Sequence, residues 1–218
     1  PSFDQFYASQ VEQLDDPGIG ERLIRAAGAA LLDRIGPAIL LTHSQGGPLG
    51  WTIADARPKL VKGILAIEPN GPPLREADFS GGTDWFKDGA VGRPWGISRN
   101  ALAFDPPVRD PGELRFVRQQ RADAPDLVPC WEQAEPARRL ANLAGIPILI
   151  LASEASYHAP YDHCTARFLS RAGVPNQFVR LAEVGIRGNG HMMMLEKNSD
   201  DIARAMREWL LKALPAKD

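Results

Sequence analysis

Short aliphatic runs alternate along this chain with longer segments of helical periodicity. Four apolar runs predict strands, at residues 38–42, 61–67, 146–152 and 177–181. Apolar residues three and four positions apart predict helices over about 20–35, 45–56 and 199–211. Strands that alternate with helices are typical of parallel βαβ units, so we expect an α/β fold with a mostly parallel sheet flanked by helices. The uninterrupted apolar character of the first run predicts a strand buried on both faces.

The segment 70–136 departs from this alternation. It is rich in Pro, Gly and Asp, and it carries scattered aromatic residues: Trp85, Phe86, Trp95, Phe104 and Trp131. Irregular segments of such length are usually functional, so we expect a lid or cap insertion; the alternative is a structural excursion that covers the sheet. The chain then divides into 1–69 as the first half of the core, 70–136 as the insertion, and 137–218 as the second half.

Composition and charge exclude several classes of protein. Of the 218 residues, 44% are hydrophobic and 24% are charged, which is typical of a globular chain. The formal net charge of -2 argues against nucleic acid or another polyanion as a partner. No apolar run reaches the roughly 20 residues that a membrane-spanning helix needs, so we expect no membrane partner.

The two cysteines leave the redox compartment open. Cys130 and Cys164 could bridge to each other, pair with another chain or stay free. Neither has the spacing of a metal ligand, and we expect no metal site.

The sequence between the first predicted strand and its helix is THSQGG, residues 42–47. A serine lifted above a strand end on so tight a turn needs small neighbours, and the following helix directs backbone N–H groups at developing negative charge. This arrangement favours Ser44 as a nucleophile, with the N–H of Gln45 as a donor to an oxyanion. Thr42 stands where such turns usually have glycine. The alternative is a turn whose serine only caps the helix.

A serine hydroxyl needs a base to accept its proton, and the chain has four histidines. His43 is adjacent to Ser44 and is expected to point to the other side of the turn. His158 and His163 lie in a polar segment at the start of a helix, where either could be a local hydrogen-bonding residue. His191 follows the fourth predicted strand in a glycine-containing loop that can bend back toward the serine. This position suits the chain order serine, acid, histidine, so we predict His191 as the base.

A carboxylate must orient the imidazole of such a base. Glu68 directly follows the second predicted strand, in the proline-rich sequence EPNGPP, at the sheet edge where the serine is expected. Glu154 and Asp162 follow the next strand, which is the more common position for this acid. We favour Glu68 and keep Glu154 and Asp162 as alternatives.

Four segments resemble a small branch of bacterial and fungal α/β-hydrolases: THSQGGPLGW, AIEPNGPP, SEASYHAPYDHC and GNGHMMMLEKNS. That branch is similar to bacterial carboxylesterases with a Ser-His-Glu triad, in which the glutamate follows the strand after the nucleophile. The resemblance extends from the nucleophile turn onward and is weaker in segment 70–136. It implies Ser44 as nucleophile, His191 as base and Glu68 as acid.

An α/β-hydrolase normally has several strands before the one that carries the nucleophile, and a loop among them supplies the second oxyanion donor. Residues 1–19 contain no strand-like run, and we find no second donor beside Gln45. An exposed apolar sheet edge would result. We therefore expect this chain, which begins at Pro1, to be the C-terminal part of a processed hydrolase, with a second polypeptide carrying the N-terminal strands and the oxyanion loop. The alternative is a reduced hydrolase that dimerises through the exposed edge.

The leading hypothesis is hydrolysis of a small-molecule carboxylic ester through an acyl-enzyme intermediate, without a cofactor. One alternative is hydrolysis of a lactone, an amide or a carbon–carbon bond, because fold and triad do not fix the substrate. Another is a non-catalytic binding subunit. A secreted or periplasmic location is favoured over the cytoplasm.

Overall fold

The computed structural model describes residues 2–12, 14–78 and 86–214. Its helices are α1 (Ser2–Ala8), α2 (Pro17–Ile35), α3 (Gly46–Ala56), α4 (Asp162–Arg171) and α5 (Ser199–Ala213). Its strands are β1 (Ala38–His43), β2 (Val61–Ile67), β3 (Leu74–Asp78), β4 (Lys87–Arg93), β5 (Phe104–Asp105), β6 (Phe116–Arg118), β7 (Trp131–Gln133), β8 (Arg139–Leu140), β9 (Ile148–Ala152) and β10 (Gln177–Arg180). The four predicted strands and three predicted helices are present, with ends shifted by a few residues. Pro1 and Trp85 lie outside the described residues.

The central sheet consists of four strands in the order β1-β2-β9-β10. All three pairings are parallel, and they align Leu41 with Leu65, Ala66 with Ile150, and Leu151 with Val179. The predicted α/β fold with a parallel sheet is therefore confirmed. Parallel alignment brings the carboxyl ends of the strands to one edge of the sheet, where the loops that follow them meet.

The helix before the sheet begins and ends on local signals. The side chain of Asp16 accepts hydrogen bonds from the backbone N–H groups of Gly18, at 2.7 Å, and Ile19, at 3.2 Å, and Pro17 starts α2. Gly36, with a φ of 86°, ends the helix. Residue Gly28 of α2 lies so close to α3 that a Cβ atom there would come within 2.5 Å of Ile53. A side chain at this position would require the side chain of Ile53 to move.

The two inner strands are apolar on both faces because helices cover both. Ile64 and Ala66 of β2 point into the main core, which includes Trp51 of α3 and Phe168 of α4. On the other face a smaller cluster packs against α5: Leu65, Ile67, Leu149, Leu151, Leu181, Met193 and Ile202. Alternation of side chains along each strand produces this two-layer arrangement.

The prediction that the first strand is buried on both faces is wrong for the chain described. β1 is an edge strand, and Ile39 and Leu41 are 40% and 58% exposed. The adjacent helix α2 also exposes large apolar residues, among them Leu23 and Leu31. Within the described residues, β1 therefore has no partner strand on one side, and its exposed side chains Ile39 and Leu41 are apolar.

The segment 70–136 is built from short antiparallel pairs. Within the segment β3 pairs with β4 and β6 with β7, while β5 pairs with β8, which lies just beyond the segment. Five of its apolar residues belong to the main core: Trp95, Ile97, Leu102, Phe104 and Leu114. The segment thus packs against the sheet and is continuous with the core.

A disulfide joins Cys130 to Cys164, which are 34 positions apart. It ties the end of the 70–136 segment to the first turn of α4. Nearby, the N–H of Val128 donates to the carbonyl of Pro160 at 3.0 Å. Of the possibilities left open for the two cysteines, the structure has the intramolecular bridge.

Among the described residues, no helix combines the length and apolar character needed to cross a membrane.

Candidate active site

Ser44 lies on the turn between β1 and α3, in a left-handed conformation with a φ of 52°. A residue other than glycine in this region is strained, and such strain is held only where the surroundings fix it. Here the carbonyl of Ser44 accepts hydrogen bonds from the N–H groups of Gly47, at 2.9 Å, and Asn70, at 2.8 Å. The turn therefore holds the serine side chain at the carboxyl edge of the sheet.

Small residues around the turn allow α3 to approach the neighbouring strand ends. A Cβ atom on Gly47 would lie 2.4 Å from Cβ of Pro69, so this position has no room for a side chain. Thr42 occupies the site where glycine is usual, and its Cγ2 lies 2.9 Å from where a Cβ of Gly50 would be. The absence of a side chain at Gly50 thus provides the space that Thr42 fills.

His191 is brought to Ser44 by the loop after β10. Its Nε2 lies 2.8 Å from Oγ of Ser44. The loop is held in place by several bonds: the N–H of Ala155 donates to the carbonyl of Asn189 at 2.9 Å, and the N–H of Gly190 to Oε1 of Glu196 at 2.9 Å. The structure therefore brings the predicted nucleophile and the predicted base into hydrogen-bonding distance.

His43 also holds this loop. Burial lowers the pKa of His43, so its ring is neutral and its Nε2 can donate to the carbonyl of His191, 2.9 Å away. His43 thus fixes the backbone of His191, and its ring lies 4.5 Å from the ring of that residue, on the side of the predicted base.

Glu68 completes the group. It is fully buried at the end of β2, has a φ of 43°, and its Oε2 lies 2.6 Å from Nδ1 of His191. The same carboxylate accepts hydrogen bonds from the N–H of Ser153 at 2.7 Å and from the hydroxyl of Ser156 at 2.6 Å. A buried carboxylate with three donors is satisfied and fixed in orientation.

The two alternative acids lie elsewhere. Glu154 pairs with Arg187 at 2.9 Å and accepts from the N–H of Gly188 at 3.0 Å. Asp162 is buried at the start of α4, and its Oδ1 lies 2.9 Å from Nδ1 of His158. Their hydrogen bonds thus go to groups other than His191.

Sequence reasoning missed the contact of His158 with His191. The two imidazole rings stack with centroids 4.6 Å apart and an interplanar angle of 7°. Burial lowers the pKa of His158 from 6.5 to about 4, so the stacked ring is neutral near pH 7. Burial, and then the charge of Glu68, raise the pKa of its partner Asp162. The place of His158 in the loop that follows β9 was the only signal in the sequence.

Tyr157 was also missed. Its ring lies 4.7 Å from the ring of His191 and is tilted by 51° to it. The residue is 42% exposed, so one side of it is open to a ligand.

A cleft of about 430 Å³ opens beside the turn that carries Ser44. Gln45 and Gly46, at the N-terminal end of α3, form part of its wall. Most of the remaining lining is apolar and comes from α2, α3 and the segment before α2: Leu14, Pro17, Leu23, Ile24, Pro48 and Leu49. The predicted oxyanion donor Gln45 therefore borders an apolar cleft.

Two groups of side chains in the described residues have the composition of a metal site. In the first, Cys130 and Cys164 surround His163, but the two sulfurs are joined in the disulfide and are not thiolates. The second consists of Glu68, His158 and His191, whose polar atoms already bond to one another or to Asp162 and Ser44. Neither donor set suggests a metal centre.

A parallel sheet flanked by helices, with a left-handed serine between a strand and a helix, defines the α/β-hydrolase class. Comparison with known proteins agrees. The model of the Alpha/beta hydrolase family matches residues 7–205, and this chain belongs to that family.

A related sequence is the probable secreted lipase phiG of Fungal sp. (strain ATCC 74256). It is 46% identical over 214 residues, which are 97% of this chain and 56% of the relative. The chain thus spans about half the length of that protein.

Two solved structures share the fold. A bacterial esterase matches with a TM-score of 0.50 and 18% identity, over 87% of this chain and 42% of its own. A membrane phospholipase A, described as a bacterial virulence factor, matches with a TM-score of 0.51 and 17% identity, over 95% of this chain and 67% of its own.

Proposed function

We propose that the protein is a serine hydrolase that cleaves carboxylic esters through an acyl-enzyme intermediate. The observation that carries this proposal is the continuous hydrogen-bonded chain from buried Glu68 through His191 to Ser44, with distances of 2.6 and 2.8 Å. A nucleophile, a base and an acid in this order activate a hydroxyl that is otherwise a poor nucleophile. The fungal relative's name, a probable secreted lipase, supports the same class of reaction.

The roles follow from the hydrogen bonds. Ser44 donates its proton to Nε2 of His191 as Oγ attacks the ester carbonyl, and Nδ1–H of His191 donates to Glu68 throughout. The imidazolium then gives its proton to the leaving alcohol, and water attacks the acyl-enzyme by the same route. Glu68 stabilises the imidazolium from a buried position where its charge is screened little. The N–H of Gln45, at the start of α3, donates to the oxyanion.

The apolar cleft supports an ester with an apolar acyl chain as the substrate. Leu23, Ile24 and Leu49 face the space next to Gln45, where an acyl group attached to Ser44 would extend. Each methylene that enters such a cleft gains about 0.8 kcal/mol. Asn70 and Arg99 of segment 70–136 line the same cleft, and we expect this segment to act as a lid and to contribute to specificity.

The unpaired edge of β1 supports the presence of a second polypeptide. Ile39 and Leu41 are exposed apolar side chains of a strand that has a neighbour on one side only within the described residues, and further strands beside β1 would cover them. The fungal relative has nearly half its length outside the region matched here. We propose that this chain is one part of a processed two-chain enzyme and that the other part supplies strands beside β1.

The intact mass of native material tests this partnership. We expect a second polypeptide to copurify with the chain, and substitution of Leu41 by lysine to release it. A single copy of the chain alone, or a dimer joined through β1, would contradict the two-chain proposal.

An oxidising compartment supports the proposed location outside the cytoplasm. The disulfide between Cys130 and Cys164 is a bond that cytoplasmic thiol buffers would reduce. The fungal relative is named as secreted. We therefore propose secretion.

Hydrolysis of p-nitrophenyl esters of increasing acyl length tests the function. The native protein, with any polypeptide that copurifies, should turn over these esters, and Ser44→Ala should lower kcat by roughly 10⁴-fold or more. Ser170→Ala, at a serine of α4 that bonds to the carbonyl of Ala166, is the control and should retain full activity. Turnover of lactones or amides but no esters would point to another hydrolase reaction. Absence of any turnover would point to a binding subunit and contradict the proposal.

A further inference from the structure

A base that gains and loses a proton in each step of acyl transfer must keep its ring in one orientation. The two nitrogens of His191 are directed by Ser44, at 2.8 Å, and by Glu68, at 2.6 Å. Both bonds lie in the plane of the imidazole, so they leave the faces of the ring to other groups. If the proposed function holds, a group that packs on one of these faces acts directly on the base.

The ring of His158 lies against a face of His191. The two ring centroids are 4.6 Å apart and the planes differ by 7°, so the imidazoles are stacked. The rings of His43 and Tyr157 also contact His191, but they are tilted to it by 35° and 51°. Among the described residues, His158 is therefore the ring that meets the base face to face.

The position of His158 is fixed by its own contacts. Its Nδ1 lies 2.9 Å from Oδ1 of Asp162, and its backbone N–H donates to Oγ of Ser156 at 3.1 Å. The hydroxyl of Ser156 donates in turn to Glu68 at 2.6 Å. The ring of Tyr161 packs 4.9 Å from that of His158, which is only 1% exposed. The stacked ring is thus enclosed and tied to the carboxylate that orients the base.

The surroundings favour the uncharged forms of both His158 and Asp162. Burial lowers the pKa of His158 to about 4, and burial, followed by the charge of Glu68, raises the pKa of Asp162. Oδ2 of Asp162 is buried without a hydrogen-bond partner among the described residues, which a carboxylic acid tolerates better than a carboxylate. An uncharged ring can remain stacked on the imidazolium that His191 becomes, whereas a second imidazolium would repel it.

This buried polar pair is unfavourable for stability alone. Apolar side chains of similar volume would fill the space without leaving an oxygen unsatisfied, and such replacements of buried pairs are often neutral or stabilising. Departures from the pattern of a well-packed core are expected at functional sites. Here the departure coincides with the ring that contacts the base.

We propose that His158 is a positioning residue for the catalytic base: its uncharged ring lies against the face of His191 and keeps Nε2 of that residue directed at Ser44. When Oγ of Ser44 attacks the ester, its proton moves to Nε2 of His191. The same proton leaves with the alcohol when the intermediate collapses. His158 accepts no proton in either step and acts by limiting the tilt of the base.

Two substitutions separate the stack from the bond to Asp162. His158→Gln keeps an amide that can bond to Asp162 but removes the ring, whereas His158→Phe keeps a flat ring and removes the bond. With a p-nitrophenyl ester near neutral pH, we expect kcat of His158→Gln to fall by roughly 10- to 100-fold with KM little changed, because a small displacement of the base spoils its alignment. His158→Phe should stay within about fivefold of the wild type.

Two further variants control for folding and polarity. His158→Leu is apolar like His158→Phe but has no flat ring, so it should show the same loss as His158→Gln. Phe168→Leu removes a fully buried ring of α4 that stacks on Phe116, and it should lower the free energy of unfolding without changing kcat. Equal losses of kcat in Phe168→Leu and His158→Gln would assign the effect to general packing and overturn the proposal. Full activity of His158→Gln, or a larger loss in His158→Phe than in His158→Gln, would also overturn it.

The proton on Nδ1 of His191 gives a readout that does not depend on turnover. Because this proton is shared with buried Glu68, it should give a downfield proton resonance in the wild type and in His158→Phe. Exchange with solvent should broaden the resonance in His158→Gln, where the ring of the base is no longer held; an equally sharp signal in all three proteins would overturn the proposal. Failure of the proposed function is distinct, because it would appear as no ester turnover by the wild type, or as turnover that survives Ser44→Ala.

Discussion

Oε2 of Glu68 lies 2.6 Å from Nδ1 of His191, although 123 positions separate the two residues. The parallel sheet explains this, because Glu68 follows β2 and His191 follows β10, and both strands end at the same edge. The left-handed backbone at Glu68 holds its side chain at that edge. The carboxylate is also bonded to the backbone of Ser153, at the start of the loop that includes Tyr157. One buried side chain thus links three loops of the candidate site.

Replacement of this carboxylate should separate Glu68 from the alternative acids. Glu68→Gln keeps the shape but removes the charge and disturbs the tautomer of His191, so we expect kcat to fall by roughly 10⁴-fold. Glu154→Gln, which removes the charge that pairs with Arg187 and one of the two oxygens that accept from Arg187 and Gly188, should stay within about threefold of the wild type. Ester kinetics check both, with circular dichroism to verify folding. A larger loss for Glu154→Gln than for Glu68→Gln would refute the assignment.

Two adjacent glycines of the serine turn should differ in their tolerance of a side chain. In Gly47→Ala the new Cβ would meet Pro69 at 2.4 Å, whereas in Gly46→Ala it would meet Thr42 at 3.8 Å, an ordinary contact. We expect Gly47→Ala to lower the free energy of unfolding by about 1–3 kcal/mol and Gly46→Ala to change it little. Denaturant unfolding provides the comparison. Similar stability of the two variants would show that the close approach to Pro69 is not constraining.

The fold and the candidate site differ in how far sequence can predict them. Ser44 and His191 were predictable because a strand-to-helix turn and a glycine-rich loop constrain the backbone locally. Glu68 was favoured by its place after a strand, but only three-dimensional contacts separate it from Glu154 and Asp162. In segment 70–136 the apolar residues have no regular spacing that would show which short stretches pair as strands, so these pairs could not be predicted.

The buried pair of His158 and Asp162 should titrate with opposite effects on stability. The folded pKa of His158 is about 4, below 6.5, so between these values the unfolded chain binds more protons. His158 alone would then lower the free energy of unfolding by ~3 kcal/mol as pH falls from 6.5 to 4. Asp162, whose pKa is raised, binds its proton more readily in the folded state and offsets this loss.

Asp162→Asn should therefore expose the contribution of His158. We expect denaturant unfolding of this variant to show a steeper loss of stability between pH 6.5 and 4 than the wild type. The double variant His158→Gln with Asp162→Asn should lose this extra dependence of stability on pH. His43 and Glu68, which face the pair, are the same in all these proteins and cannot cause the difference. If the stability of Asp162→Asn changed with pH in the same way as that of the wild type, the directions assigned to the pKa shifts of His158 and Asp162 would be wrong.

The disulfide should contribute to stability through the loop it closes. Cys130 and Cys164 are 34 positions apart. Replacement of both by alanine should lower the free energy of unfolding by about 3–4 kcal/mol. Reductant should destabilise the wild type and leave the double variant unaffected, as measured by thermal unfolding. Equal stability of the wild type with and without reductant would show that the bond adds nothing.

Several features could not be read from local sequence patterns. An apolar run predicts a strand but not whether it has a neighbour on each side, so the exposed edge of β1 contradicted the expectation of full burial. Two cysteines can bridge to each other, bridge to another chain or stay free, and only the distance between them decides among these possibilities. The contacts of Tyr157 and His158 with the candidate triad depend on the path of a loop that has no periodicity. Thr42 fits where glycine is usual because Gly50, eight positions along the chain, has no side chain in the space that Thr42 fills.

If Ser44 is an activated nucleophile, a fluorophosphonate should phosphonylate it. The native protein would be treated with the probe, and intact mass and peptide mapping would locate the adduct. We expect one adduct per chain, on Ser44, which is absent in Ser44→Ala and forms far more slowly in His191→Ala. A native protein that stays unlabelled, or one labelled at another serine, would contradict it.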